Sequence, residues 1–208
     1  MNIRRVITAL VVVAVGLILT FASVRAYVSA QNGTAASGPN GPTAQAAQAL
    51  KAKIEAIKAA HAGGKAGPRQ TIEVSEVELE SYVLFYLRQD IPARVDSFDV
   101  QLTEGAVAAD TKLTFAPDTT GNGVVDLLIS GTHNLFVKGK LAASGKQGKF
   151  ELEEVKVDGI PVPNLLIEAL ITKYVKPKYP DVDLNAPFEM PWGIESLVIT
   201  PGKTTIVY

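Results

Sequence analysis

Residues 98–115 read FDVQLTEGAVAADTKLTF, and their period is two. Phe98, Val100 and Leu102 alternate with Asp99 and Gln101. Gly105 turns the chain, and Val107, Ala109, Thr111, Leu113 and Phe115 then alternate with Ala108, Asp110, Lys112 and Thr114. Alternation puts one set of side chains on each face of a pleated strand, so two such runs joined at a glycine read as a hairpin. The pattern continues downstream. Leu135, Val137 and Gly139 stand against Phe136, Lys138 and Lys140, and Ser144-Gly145 with Gly148 brackets a further turn. Phe150 and Leu152 are followed by Val155 and Val157, so the phase slips at Glu153-Glu154, where a bulge is expected. Connections this short suit antiparallel pairing and exclude βαβ units, whose crossovers need a dozen or more residues.

Two apolar helices interrupt the strands. Upstream, Thr71 to Val74 supplies a short strand, and Ser75 with Glu78 forms a capping-box pattern that opens a helix through Arg88. Downstream, Asn164 caps a helix from Leu165 to about Val175, closed by Pro177 and Pro180. The last hairpin turns at Pro201-Gly202, between Ile194–Thr200 and Thr204–Tyr208. The expected fold class is α+β, a long curled antiparallel meander packed with two apolar helices. Both helices carry more large aliphatic residues than one-sided packing on a sheet requires. A groove between helix and sheet is one use for that surplus, and a sealed core is the other.

Before residue 69 the composition changes. Residues 6–24 contain no charge and would cover roughly 28 Å as a helix, close to a bilayer core. Arg4 and Arg5 precede this run, which orients residues 1–5 to the cytoplasm. Val28-Ser29-Ala30 resembles a cleavage site, but the run is longer than the roughly 7–15 residues of a signal-peptide core, which favours an uncleaved anchor. Residues 25–68 read as an Ala/Gly-rich linker, with a marginal helix over 43–62 whose narrow stripe is Leu50, Ile54 and Ile57. Residues 69–208 form the organised domain.

The inventory of reactive groups is thin. The chain has 208 residues, 20 basic and 21 acidic, and a formal charge of -1. Mild acidity gives no support to a nucleic-acid partner, whose footprint would be a basic patch. Without cysteine there is no thiol nucleophile, Cys-ligated metal or disulfide framework. His61 lies at the end of the marginal helix. His133 follows Ser130 and Thr132, but no nucleophile elbow or triad spacing accompanies it. Asp181, Asp183 and Asn185 offer oxygen atoms without the glycine and terminal glutamate of a calcium loop. The glycines of TTGNG and SGKQG lack a phosphate-binding context and read as turns. The residues therefore lead to the expectation of a non-enzymatic chain with no metal and no cofactor.

The segments SEVELESYVLFYL (75–87) and GIPVPNLLIEALI (159–171), set among alternating strands behind an apolar run, resemble small membrane-anchored bacterial envelope proteins of the DUF2993 and AsmA-like, lipid-binding type. The resemblance spans about residues 70–208. It implies a curled sheet with a lipid-accommodating concave face, a single-pass inner-membrane anchor and a C-terminal domain in the periplasm or extracytoplasmic space. On that expectation the protein binds a phospholipid or lipid-linked precursor. Val83, Tyr86, Leu87, Leu166, Leu170 and Trp192 shield its acyl chains, and Lys138 and Lys140 contact its headgroup. The partners would be the inner membrane, a lipid and an envelope protein. The alternative is a non-catalytic envelope scaffold or protein-interaction domain with a filled core, touching its partner through a sheet edge or the Leu50–Ile57 stripe.

Overall fold

Strand β4 (Gly131–Ser144) is the trunk of the sheet. The computed structural model of the chain describes residues 41–63, 68–91, 93–115, 131–170 and 186–208. In chain order these form α1 (Ala44–Ala62), β1 (Thr71–Ser75), α2 (Glu76–Tyr82), β2 (Arg94–Thr103), β3 (Ala106–Phe115), β4, β5 (Gln147–Val157), β6 (Ile160–Pro161), α3 (Asn164–Leu170), β7 (Phe188–Glu189), β8 (Ser196–Thr200) and β9 (Lys203–Val207). Every described strand pair is antiparallel.

One edge of β4 pairs with β5. The other pairs with β3 as far as Lys140, and β8 then takes over the same edge at Ala143. The β2–β3 and β8–β9 hairpins therefore stand end to end along one strand. Their tips are joined by backbone bonds from Gly105 N–H to Ile199 O (3.1 Å) and from Gly202 N–H to Leu102 O (3.1 Å). Strand β1 adds to β9. On the far side of β5, β7 pairs at Gln147 and Gly148, and β6 pairs at Lys156 and Val157.

The alternation read from residues 98–115 places Val95, Phe98, Val100, Leu102, Leu113, Leu135, Val137 and Val155 in one buried cluster. Two bulges keep that set on one face. The β2–β3 register shifts between Val95 and Ser97, which turns both Val95 and Phe98 inward. The β4–β5 register passes from Glu154 to Leu152 and skips Glu153, where the sequence phase slips. Gly139 leaves room for a ring, since a Cβ there would lie 2.5 Å from Phe150 Cζ.

The capping box forms as the sequence expects: Glu78 N–H donates to Ser75 Oγ (3.3 Å) and Ser75 N–H donates to Glu78 Oε2 (2.9 Å). Helix α2 then widens into a π turn, Val83–Leu87, and tightens into a 3-10 turn, Arg88–Asp90. This segment lies along the outer edge of β2. Glu80 Oε1 accepts the Val100 N–H (2.9 Å), and Glu76 Oε1 accepts the Leu102 N–H (2.6 Å). Two strand donors that would otherwise invite a further strand are thus satisfied by carboxylates.

Helix α1 covers the other side of α2. Its cap is Thr43, whose Oγ1 accepts the Ala46 N–H (3.1 Å), while the Thr43 N–H donates to Ser81 Oγ (3.0 Å). Leu50 and Ile54 cluster with Val74, and Leu79, Tyr82 and Trp192 pack against that cluster. Ile57 joins Ala143, Met190 and Ile194. Lys53 Nζ binds Glu78 Oε1 and the Glu73 carbonyl, both at 2.6 Å.

Three expectations are corrected by this architecture. The sheet is open and uncurled: two hairpins share one edge of β4 where a continuous curled meander was expected. Of the two helices read as strongly apolar, α2 has seven α-helical residues before its π turn, and α3 has seven among the described residues. Most of the apolar surface of the first segment faces α1 on one side and the sheet on the other, with Phe85 left half exposed. Finally, the span expected at residues 6–24 lies outside the described residues, and no helix among the described residues is long and apolar enough to cross a membrane. The structure therefore lends no support to an inner-membrane anchor, a membrane partner or a periplasmic location.

Candidate functional site

Of the expected groove residues, Val83, Tyr86, Leu87 and Trp192 have described side chains. Val83 and Leu87 are 4% and 3% exposed within the main core cluster, so both face the sheet. Tyr86 lies at the α1–α2 junction, its ring 5.4 Å from Tyr82 and beneath Lys51 Nζ at 5.0 Å. Trp192 packs under α1, with Lys58 Nζ 5.0 Å above its ring. Its left-handed backbone (φ 53) is held among Pro191, Met190 and the α1 stripe. Phe188 and Met190 seal the same end of the core. The side chains of Leu166 and Leu170, on α3, lie outside the described residues, as do Asp181, Asp183, Asn185, Ser130 and the TTGNG turn.

Lys138 and Lys140 project from the sheet face opposite the core, and both bind Glu153, at 3.2 and 2.6 Å. The bulge at Glu153 makes this fork possible. Hydrogen bonds from Lys140 and then Lys138 hold the Glu153 carboxyl below the usual range, outweighing the opposing effect of desolvation. Lys156 binds Glu154 (2.7 Å) and covers the Phe136 ring (5.2 Å). The charges of this face are largely paired with one another.

His133 meets Asp158, Nδ1 to Oδ2 at 2.7 Å, and Asp158 Oδ1 accepts the Asn134 N–H at 2.8 Å. The His133 contact and then the Asn134 bond lower the Asp158 pKa. Asp158 and Gly159, with φ of 51 and 79, form a two-residue hairpin turn of the primed kind, so the pair ties β4 to the β5–β6 corner. No group of three or more metal-ligating side chains occurs among the described residues. His61 lies beside Gly193, where a Cβ would be 3.3 Å from its Nδ1.

One opening among the described residues was not expected. A cleft of about 520 Å³ is lined by Arg69, Ser144, Gly145, Lys146, Glu195, Ser196 and Val207. The ends of β4, β8 and β9 build it. Lys146 N–H donates to Glu195 O (3.1 Å), Glu195 N–H to Val207 O (2.7 Å), and Met190 N–H to Lys146 O (2.8 Å), which fixes the walls. Arg69 Nε reaches Glu195 Oε2 at 2.6 Å. Gly145 (φ 60) and Lys146 (φ 66) form the β4–β5 turn. Lys146 belongs to no motif of the sequence. Its one local signal is a lysine at a turn position that favours glycine or asparagine.

Neither the family models nor the curated proteins searched contain a match to this chain. The resemblance to anchored DUF2993 and AsmA-like proteins is therefore corrected. Its motifs are a capping box and a proline-led helix start, which many unrelated folds use. The lipid-binding reading that rested on it is corrected as well, since Val83 and Leu87 are packed into the main core and Trp192 against the α1 stripe.

Proposed function

We propose that this chain is a non-catalytic protein-interaction domain with a filled core, and that its contact surface is the cleft between Arg69 and Lys146. One observation carries the reading: Val83, Leu87, Leu50, Ile54 and Ile57 are all buried within the chain, while an open cleft on strand ends presents Arg69, Lys146, Glu195 and two serines. The filled core argues against a hydrophobic cargo. The Leu50–Ile57 stripe is occupied by the domain itself, and Glu76 and Glu80 close the outer edge of β2 at Leu102 and Val100. A partner therefore meets the cleft, whose polar groups are positioned by paired backbone and suit recognition more than chemistry.

A photo-crosslinking residue at Ser144, introduced into the full chain in the cells that make it, tests the reading. A discrete protein adduct is expected there and none at Lys112, an exposed position on β3. An adduct-free Ser144 variant, or equal labelling at both positions, overturns it.

A further inference from the structure

We infer that the cleft takes an acidic peptide segment of a partner, with one of its carboxylates seated between Arg69 and Lys146; this rests on the interaction reading above. The lining holds two cations against one carboxylate, in a chain whose overall charge is slightly negative. The excess is therefore local to the cleft.

Glu195 already marks where an anionic oxygen sits, 2.6 Å from Arg69 Nε. That pair is exchangeable. The Arg69 side chain is 79% exposed, and an ion pair so open to water contributes little. A guanidinium has five donors, so a second carboxylate binds without displacing the first. Among the described residues Lys146 has no ion pair, and Ser144 and Ser196 add neutral hydroxyls beside it.

Lys146 carries a second observation. Its backbone is left-handed, a conformation that disfavours a side chain, at a position where glycine is unstrained. A lysine held there at a conformational cost fits a role for its ammonium group. The size of the cleft points the same way. About 520 Å³ exceeds what one small anion needs and lies within the roughly 300–1,000 Å³ of ligand sites. Glu195 also repels a phosphate dianion more strongly than a single carboxylate.

Fluorescence anisotropy with the full chain and labelled hexaglutamate, with hexaglutamine as control, tests the inference. Hexaglutamate is expected to bind, and to weaken as salt screens the contact. Lys146→Gly relaxes the turn, so thermal stability is expected to hold or rise while affinity falls about tenfold. Arg69→Gln is expected to weaken binding by a similar factor, about tenfold. Glu195→Gln, by releasing Arg69, is expected to strengthen it. Equal binding of the two peptides, or unchanged affinity in folded Lys146→Gly and Arg69→Gln, overturns the proposal. Equally effective competition by inorganic phosphate overturns the peptide assignment. Should the Ser144 adduct persist while hexaglutamate fails to bind, only the acidic chemistry falls and the interaction reading stands.

Discussion

In α1, alanines and charged residues surround four apolar positions, Ala47, Leu50, Ile54 and Ile57, and none is more than 4% exposed. In α3 the run is LLI, yet Leu165 stands 81% exposed, and Ile160 just before the helix stands 70% exposed, while Ile167 is buried in the main core. The helix with the weaker hydrophobic pattern buries its whole stripe, whereas the described side chains of α3 include a leucine left exposed. Apolar content says how much surface a helix offers. Burial depends on whether another element presents a matching surface, and for α1 that surface is β1, α2 and the Met190–Ile194 turn.

This contrast breaks first at Ile57. Ile57→Ala leaves a cavity between α1 and the Met190–Ile194 turn, and is expected to lower stability by about 2–5 kcal/mol in urea titration. A loss below about 1 kcal/mol would show that α1 rests on the domain without contributing to it.

Glu80 of α2 stands between the two cases. Glu80→Ala leaves the Val100 N–H without its carboxylate and is expected to cost about 1–3 kcal/mol. Burial raises the Glu80 pKa, opposed by the Val100 hydrogen bond and aided by the charges of Asp99 and Glu76. A raised carboxyl keeps its proton in the folded state at a pH where the unfolded chain has released it. Its contribution to stability is therefore present at low pH and declines as pH rises from the unfolded value, about 4.3, through the folded one. Glu80→Gln keeps an acceptor for Val100 and removes the titration, so denaturation midpoints measured across that window are expected to flatten.

Thr43→Ala removes the α1 cap and is expected to cost about 1 kcal/mol, read by the same titration. It sharpens the comparison by separating the local helix signal from the packing that Ile57 reports. The smallest effect belongs to α3. Leu165→Ser is expected to change stability by no more than about 0.5 kcal/mol, and a larger loss would mean that α3 is held through its exposed side.

Much of the sheet is legible in the chain. The hairpin at Gly105, the turns at Gly145, Gly159 and Gly202, the bulge at Glu153 and the Ser75–Glu78 capping box all follow from neighbouring residues. The second bulge, at Asp96, had no clear signal, because Val95 precedes the run whose alternation sets the phase. Trp192 was read as a groove residue on its chemistry alone, whereas its place under Lys58 depends on α1, more than a hundred residues earlier. The cleft escaped for the same reason: Arg69, Lys146 and Glu195 belong to three distant segments, and no spacing connects them.

By itself, then, the sequence determined the strands, their turns and the helix starts, since periodicity, glycine backbone freedom and capping act over a few residues. Only the tertiary structure decided which apolar surfaces meet. It set α1 over α2, left the sheet open and uncurled, and brought two cations and a carboxylate to one cleft. Burial and charge juxtaposition are properties of pairs of surfaces, and no single segment of the chain contains both members of a pair.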